Sequence, residues 1–314
     1  MTKKIIFDTD PGIDDAMAIL FGLNSPEIEF VGMTTIFGNV WTEQATGNAL
    51  RLLEFAGKSH IPVAHGAEKP LHVHFAEPAH FVHGANGLGE VHLPEPTHEA
   101  DPRRAAQFIV DSVMANPGEI TLVPVGPLTN IALALMLEPR IVENVAEVVI
   151  MGGAATVNGN VSPAAEANIW NDPHAADRVF TAGWQVTMAG LDVTEKTMMS
   201  DDYLADLRAS RSGQLIYDIS RFYLDFHYKT DHIVGCHTHD PSAIAYVIDP
   251  TLFTTQRGPV RVLCEGIARG QTLWDRKGDW HSPNAWSNHR SVNVCVGVDS
   301  ERLLKLYRER ILSV

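Results

Sequence analysis

The chain has 314 residues, of which 45% are hydrophobic and 20% are charged, and its formal net charge is −14. Such a composition is typical of a globular protein with a large core, and the negative charge argues against nucleic acid binding through the overall field. The sequence shows neither a signal peptide nor a long apolar segment, so we expect no secretion and no membrane partner. The three cysteines have no CxxC spacing, which favours reduced thiols and a cytoplasmic location.

From the N-terminus the predicted elements alternate between strand and helix. Residues 5–7 form an apolar run that predicts a buried strand, and a helix with carboxylates in its first turn begins at Asp14. A strand over 28–35, a helix over 42–55 and a short strand over 61–64 follow. This order predicts an α/β fold with a largely parallel, Rossmann-like sheet and helices on both faces.

Residues 66–100 interrupt the alternation with prolines, glycines and histidines, which is typical of a functional loop. After it we predict helices over 104–114, 131–137, 173–181, 200–228, 242–248 and 300–311. The later strands are predicted over 120–125, 145–151, 185–189, 259–264 and 291–297. Because no internal repeat or linker divides the chain, we predict a single domain over residues 1–314.

The loop between the first strand and the first helix is crowded with four aspartates, namely Asp8, Asp10, Asp14 and Asp15. Adjacent like charges raise one another's pKa, and a helix N-terminus offsets only about 0.3–1 kcal/mol per carboxylate. A bound divalent cation would relieve this repulsion, and oxygen ligands favour Ca²⁺ or Mg²⁺. The alternative is an acidic helix cap with solvated charges, although one cap requires one aspartate.

Further polar residues follow the carboxyl ends of predicted strands, where ligands bind in open α/β sheets. Each of them alone is ordinary turn chemistry. Together, carboxylates for a cation, amides and a glutamate for hydroxyl groups, and a histidine predict a polyhydroxylated ligand beside a metal. The residues in question are Asp10, Asp14, Asn39, the turn at 125–126, Asn160, Glu166, Asn168, His239 and Asp240.

The segment at residues 8–15, Asp-Thr-Asp-Pro-Gly-Ile-Asp-Asp, resembles the N-terminal signature of the nucleoside hydrolases, the inosine-uridine preferring type and its relatives. The resemblance implies the nucleoside hydrolase fold, one tightly bound Ca²⁺, and cleavage of ribonucleosides to ribose and free base. It also implies a homodimer or homotetramer. Similar segments follow in order at residues 34–39, 123–130, 149–153, 165–168, 190–194 and 239–241.

Carried over by position, the resemblance also implies residue roles. The calcium ligands would be Asp10, Asp15, Asp240 and the carbonyl oxygen of Val125. Asp10 would in addition take a proton from the attacking water. His239 would face the base. Because the departing base carries negative charge unless it is protonated, an acid near it would help, and the candidates for this acid are His239, His83 and Tyr228. The remaining substrate contacts would come from Asp14, Asn39, Met151, Asn160, Glu166 and Asn168.

Two regions depart from the family pattern, and base preference therefore stays open. Asn86 occupies a position where many members have an acid. The segment with Trp274, Trp280 and Trp286 has no clear counterpart. We expect both regions to bear on base recognition.

Two other functions also fit parts of the sequence. The Asp8-x-Asp10 pair at a strand end is compatible with a Mg²⁺-dependent phosphohydrolase of the haloacid-dehalogenase type, which would release phosphate and leave Glu166 and His239 without a role. A nucleoside-binding protein on the same fold would bind substrate and release no base.

Overall fold

The computed structural model describes residues 2–75, 77–230, 232–278, 280 and 282–313. The strands within these ranges are β1 (Lys3–Thr9), β2 (Ile28–Thr35), β3 (Val63–His65), β4 (Ile120–Pro124), β5 (Glu147–Met151), β6 (Val186–Ala189), β7 (Met198–Met199), β8 (Cys236–His237), β9 (Phe253–Gly258), β10 (Val260–Val262), β11 (Thr272–Trp274) and β12 (Val292–Val298). The helices are α1 (Ile13–Leu23), α2 (Thr42–Phe55), α3 (His80–His83), α4 (Ala105–Ala115), α5 (Thr129–Leu137), α6 (Ile141–Asn144), α7 (Ala167–Asn171), α8 (Pro173–Thr181), α9 (Leu191–Thr194), α10 (Asp201–Leu207), α11 (Arg211–Thr230), α12 (His239–Ile248) and α13 (Ser300–Leu312).

Eight strands form one sheet in the order β3-β2-β1-β4-β5-β6-β12-β9. Neighbouring strands are parallel except for β12 and β9, which pair antiparallel at the edge. The chain order reverses between β1 and β4, so their carboxyl ends flank a crevice of the kind that binds ligands in doubly wound sheets. The predicted parallel α/β fold is confirmed, and the aspartate loop follows β1 at this point.

Two apolar clusters cover the two faces of the sheet because successive strand residues point to opposite sides. Phe7 belongs to the cluster beneath α1, α11 and α12, and its neighbour Ile6 belongs to the cluster beneath α4, α5 and α8. Val123 and Leu122 of β4 divide between the clusters in the same way. The prediction of helices on both faces is therefore confirmed.

Several predicted elements differ from the structure in extent. The helix predicted over 200–228 is two helices, α10 and α11, because the chain turns at Ser210, whose hydroxyl accepts a hydrogen bond from the Gly213 amide. The strand predicted over 259–264 is the short β10, which pairs with β11 outside the main sheet, whereas β9 forms the sheet edge. Residues 190–194, predicted as a loop, contain the short helix α9.

In the described ranges, we find no helix with the length and apolar character required to cross a bilayer.

Candidate active site

A cavity of about 610 Å³ opens at the carboxyl ends of the central strands. Asp10 and Asp15 are not part of its wall but lie almost fully buried next to it, 1% and 0% exposed. The structure thus gathers predicted residues from seven separate segments at one place. The predicted site residues that line the cavity are Asp14, Asn39, His83, Val125, Met151, Asn160, Glu166, Asn168, His239 and Asp240.

A dense set of hydrogen bonds fixes the aspartate loop. The Asp15 carboxylate accepts hydrogen bonds from the Thr9 hydroxyl and from the backbone amides of Asp10 and Gly12. Asn39 connects two of the acids, because its backbone amide donates to Asp10 at 2.6 Å and its side-chain amide donates to Asp15 at 2.9 Å. Asn39 therefore holds the Asp10 and Asp15 carboxylates next to the cavity.

Asp8, the first of the four aspartates, has different surroundings. Its Oδ1 accepts hydrogen bonds from the Thr34 hydroxyl and, at 2.7 Å, from the Asn130 side chain. Burial raises the Asp8 pKa to about 7, although these two hydrogen bonds oppose the shift. Asp8 therefore ties β1 to β2 and α5 and is not part of the cavity wall.

The remaining acids form a cluster that fits a cation. Carboxylate oxygens of Asp14, Asp15 and Asp240 all lie within 4.8 Å of one another. Burial, followed by the charges of the neighbouring acids, raises the pKa of Asp14 to about 8 and raises the pKa of Asp240 as well. Among the described residues, Oδ1 of Asp10 and Oδ1 of Asp14 are buried without a hydrogen-bond partner. A divalent cation would supply the missing partner and favour the ionised carboxylates.

The tightest group of acids includes Asp14, whereas the predicted ligand set includes Asp10. Asp10 lies against the turn that carries the predicted carbonyl ligand, because a Cβ on Gly126, the residue after Val125, would lie 2.4 Å from its Oδ1. A Cβ on Gly38 would come even closer to Oδ2 of Asp10. These two glycines leave room for the Asp10 carboxylate beside Val125, so the arrangement is compatible with the predicted set.

The segment that carries Glu166 and Asn168 is a helix start rather than a free loop. Glu166 is the N-cap of α7, and its carboxylate accepts hydrogen bonds from the backbone amides of Gly153, Asn168 and Ile169. The Asn168 side-chain amide donates to the carbonyl oxygens of Val125 at 2.7 Å and Met151 at 3.2 Å. The α7 start is therefore fastened to the ends of β4 and β5, and no hydrogen bond from the described residues occupies the Oδ1 atom of Asn168.

His83 reaches the cavity from α3. Its Nδ1 accepts a hydrogen bond of 3.2 Å from the backbone amide of Ile13, and because an amide can only donate, the ring proton lies on Nε2. Asp14 lies 3.8 Å from the same Nδ1, but this nitrogen has no proton to donate. Burial lowers the His83 pKa to about 3, helped by the charge of His227. His83 is thus a neutral hydrogen-bond donor.

His239 begins α12 directly before Asp240. Its Nδ1 lies 2.8 Å from the Thr194 hydroxyl of α9. Burial lowers the His239 pKa well below 6.5, and the nearby rings of His237, His227 and His83 act in the same direction. His239 is therefore a neutral imidazole beside the acidic cluster.

A wall of rings completes the cavity. It includes Tyr223, Phe226 and His227 of α11, which occupy one helix face, together with His237 and Phe81. The Tyr223 ring stacks on His83 with centroids 5.6 Å apart. The i, i+3, i+4 spacing of residues 223, 226 and 227 is a sequence signal that could have identified this face.

The prediction for Tyr228 is wrong in this geometry. Tyr228 is 63% exposed and is not part of the cavity wall. Residue 228 lies about 140° around the helix from Tyr223, whereas His227 lies about 40° from it. Tyr223 is therefore the tyrosine of α11 that meets the cavity.

In the described part of the chain, the two regions expected to bear on base recognition, Asn86 and the tryptophan segment, do not line the cavity. Asn86 contacts its own loop: its Oδ1 accepts from the amides of Leu88 and Glu90, and its Nδ2 donates to the carbonyl of Val91. Trp274 belongs to β11, and Trp280 donates a hydrogen bond to Asp275. None of Asn86, Trp274, Trp280 and Trp286 is among the described residues that line the cavity. Asn86 therefore shapes the loop after His83, and the tryptophans lie elsewhere.

The family model described as inosine-uridine preferring nucleoside hydrolase matches residues 5–305. The chain belongs to this family. It is 44% identical to uridine nucleosidase 1 of Arabidopsis thaliana over 313 residues, which cover 99% of this chain and 93% of the relative. A plant nucleoside hydrolase structure superposes with a TM-score of 0.98 at 43% identity and complete coverage of both chains. A purine-preferring ribonucleoside hydrolase from Gardnerella vaginalis gives a TM-score of 0.92 at 38% identity, covering 99% and 98% of the two chains.

As a member of the nucleoside hydrolase family, the chain is an N-ribosyl hydrolase. Family membership excludes the phosphohydrolase alternative. It also gives the cavity a substrate class, because the acids, amides and rings described above surround a space suited to a ribose and a base.

Proposed function

We propose that the protein is a Ca²⁺-dependent ribonucleoside hydrolase that cleaves the N-glycosidic bond of purine or pyrimidine ribonucleosides. The observation that carries the proposal is the convergence of Asp10, Asp14, Asp15 and Asp240 beside a cavity with amides and aromatic rings. Acidic oxygens alone suit a hard cation such as Ca²⁺ better than zinc or copper.

The proposed calcium ligands are Asp10, Asp15, Asp240 and the carbonyl oxygen of Val125. A bound Ca²⁺ would supply positive charge that attracts hydroxyl oxygens and lowers the pKa of a nearby water. Asp10, whose buried Oδ1 has no hydrogen-bond partner among the described residues, would accept a proton from the water that attacks the sugar. Asn168 keeps the Val125 carbonyl in place through its 2.7 Å hydrogen bond.

Breaking the bond to the base builds positive charge on the ribose and negative charge on the departing base. Asp14, Asn160, Glu166 and Asn168 orient the ribose hydroxyls, so that binding energy helps to lower the barrier. His239 donates a hydrogen bond to the base as it leaves, and the neutral imidazole acts as an electrophile, as a neutral histidine does in triosephosphate isomerase. Asn39 supports the acids, and Met151 and His83 complete the substrate contacts.

The first test is release of base and ribose from inosine, adenosine, guanosine, uridine and cytidine, followed by ultraviolet absorbance and a reducing-sugar assay. We expect uridine to be cleaved, because the uridine nucleosidase 1 relative carries that substrate in its name. Tight binding of nucleosides with no base released over hours would instead indicate a nucleoside-binding protein.

The second prediction concerns the sugar. We expect 2′-deoxyuridine to have a kcat/KM at least about 10²-fold below that of uridine, because a site built to bind a hydroxyl group strongly rejects its absence. The comparison uses one base, so base recognition cancels. Equal kcat/KM values for the two nucleosides would contradict the proposal that Asn168 and the cation bind the ribose hydroxyl groups.

We also propose that the protein assembles as a homodimer or homotetramer. The adjacent apolar side chains Met136 and Leu137 are 51% and 55% exposed, which is compatible with a subunit contact. Sedimentation velocity would distinguish a monomer from either assembly.

A cytoplasmic location is the last part of the proposal. Cys236, Cys264 and Cys295 are free thiols in the structure, which is compatible with a reducing compartment. Fractionation of cells that express the protein would test it.

A further inference from the structure

The short helix α9 contacts both functional parts of the cavity. Asp192 accepts hydrogen bonds from the backbone amides of Ala155 and Thr156, at 2.8 and 2.7 Å, in the loop that leads to Asn160. Two residues later, the Thr194 hydroxyl lies 2.8 Å from Nδ1 of His239. All of Asp192, Thr194 and the first turn of α12 are buried, so these contacts are not exposed to competition from bulk water.

The Thr194 contact engages one of the two ring nitrogens of His239. Among the described residues, Nδ1 of His239 is the recorded hydrogen-bond partner of the Thr194 hydroxyl. The opposite ring nitrogen, Nε2, belongs to a side chain that lines the cavity. Because Thr194 engages Nδ1, Nε2 is the ring nitrogen left to meet a bound base.

A neutral imidazole carries one proton, so its tautomer decides whether it can donate at Nε2. When the Thr194 hydroxyl donates to Nδ1, the ring proton lies on Nε2, where the base is expected. Loss of such a contact leaves the ring free to adopt the other tautomer, in which Nε2 accepts. In serine proteases an aspartate accepts a hydrogen bond from Nδ1 and thereby fixes the opposite tautomer, and its replacement by asparagine lowers kcat by about 10⁴-fold.

We propose that Thr194 is a positioning residue that keeps the proton of His239 on Nε2 and thereby directs it at the leaving base. The proposal rests on the proposed role of His239 in the hydrolase. It assigns to Thr194 a part in the departure of the base and none in holding the ribose or the cation.

The test compares Thr194→Val, which removes the hydroxyl and keeps the shape, with Thr194→Ser, which keeps the hydroxyl. Both are assayed on uridine and on p-nitrophenyl riboside, whose nitrophenolate leaves without a proton. For Thr194→Val we expect kcat on uridine to fall about 10- to 100-fold, less than the about 10²–10⁴-fold that full loss of a general acid costs. For the same variant we expect little change in KM for uridine and a kcat on p-nitrophenyl riboside close to that of the wild type. In Thr194→Ser we expect uridine cleavage at close to the wild-type rate.

Thr197→Val is the matched control. Thr197 is also buried and lies three residues after Thr194, but its hydroxyl pairs with Ser300 at 2.9 Å rather than with His239. We expect this variant to cleave both substrates at rates close to those of the wild type. Equal losses of Thr194→Val on both substrates, or no recovery with serine, would overturn the proposal. If Thr194→Val does not fold, Thr194→Ala removes the same hydroxyl.

A second readout does not depend on activity. Nitrogen-15 NMR of labelled histidine, with the His239 signal assigned by its absence in His239→Ala, reports the tautomer of the ring directly. We expect protonated Nε2 in the wild type and a mixed tautomer in Thr194→Val. An unchanged tautomer in the variant would overturn the proposal even if base release occurs. If the wild type released base from none of the five nucleosides, the hydrolase function would be rejected. The NMR result would still decide whether Thr194 fixes the tautomer of His239.

Discussion

An Asp10→Ala variant is expected to lose nucleoside turnover and calcium binding together. Asp10 is buried, and its Oδ1 has no hydrogen-bond partner among the described residues, so this oxygen is free for a cation or a water proton. Loss of a general base alone costs about 10²–10⁴-fold in rate, and loss of a cation ligand adds to it. We therefore expect turnover to fall by about 10⁴-fold or more.

Calcium binding is measured by titration calorimetry and by the shift in unfolding. A ligand that binds only the folded state at 100 times its Kd stabilises it by about 2.7 kcal/mol, and Asp10→Ala should lose this gain. Asp8→Asn is the matched control, because its amide oxygen can still accept hydrogen bonds from Thr34 and Asn130. Near wild-type rates of Asp10→Ala after chelation would reject the calcium mechanism. Loss of calcium in Asp8→Asn would indicate that total charge, rather than a specific ligand set, holds the ion.

A His239→Ala variant is expected to cleave uridine or inosine about 10²–10⁴-fold more slowly. This corresponds to about 3–5 kcal/mol of activation free energy. The physical reason is that the base leaves with negative charge, which a hydrogen-bond donor at Nε2 stabilises. The same variant should cleave p-nitrophenyl riboside at almost the wild-type rate, because nitrophenolate is stable without a proton.

The two substrates share the ribose, the cation and the attacking water, so the ratio of their losses isolates help to the leaving group. Equal losses on both would mean that His239 supports its neighbour Asp240 instead. No loss on either would transfer the donor role to another group. His83 is the candidate in the described cavity wall whose proton is already fixed on Nε2 by the Ile13 amide, so His83→Ala is the comparison variant.

Local sequence signals were sufficient for much of the fold. β2, α2 and α8 have the predicted bounds, because each is an apolar or amphipathic run with clear ends. The helix predicted over 200–228 was less accurate because its break depends on tertiary contacts. A Cβ on Gly213 would lie 1.8 Å from the carbonyl oxygen of Leu207, a close approach that the sequence does not reveal.

The sequence predicted which segments of the chain form the site. It did not predict which hydrogen bonds the individual side chains of those segments make. The sequence indicates that Glu166 and Asn168 lie near the ligand. It does not indicate that Glu166 caps α7 or that Asn168 holds two carbonyl groups at once. Asn86 looked like a determinant of base recognition, but its side chain satisfies the backbone of its own loop.

The sequence by itself determined the chemistry of this protein. Four aspartates within residues 8–15, without a nearby basic residue, favour a bound counter-charge, and the alternation of strands and helices predicts a parallel sheet whose carboxyl edge collects the loops. Only the tertiary structure decided which ring nitrogen can donate and which aromatic residue of α11 meets the cavity. The donor nitrogen of His83 follows from the hydrogen bond of the Ile13 amide, and His239 is held by its contact with Thr194; these partners lie 70 and 45 positions apart. No local pattern encodes contacts over such separations.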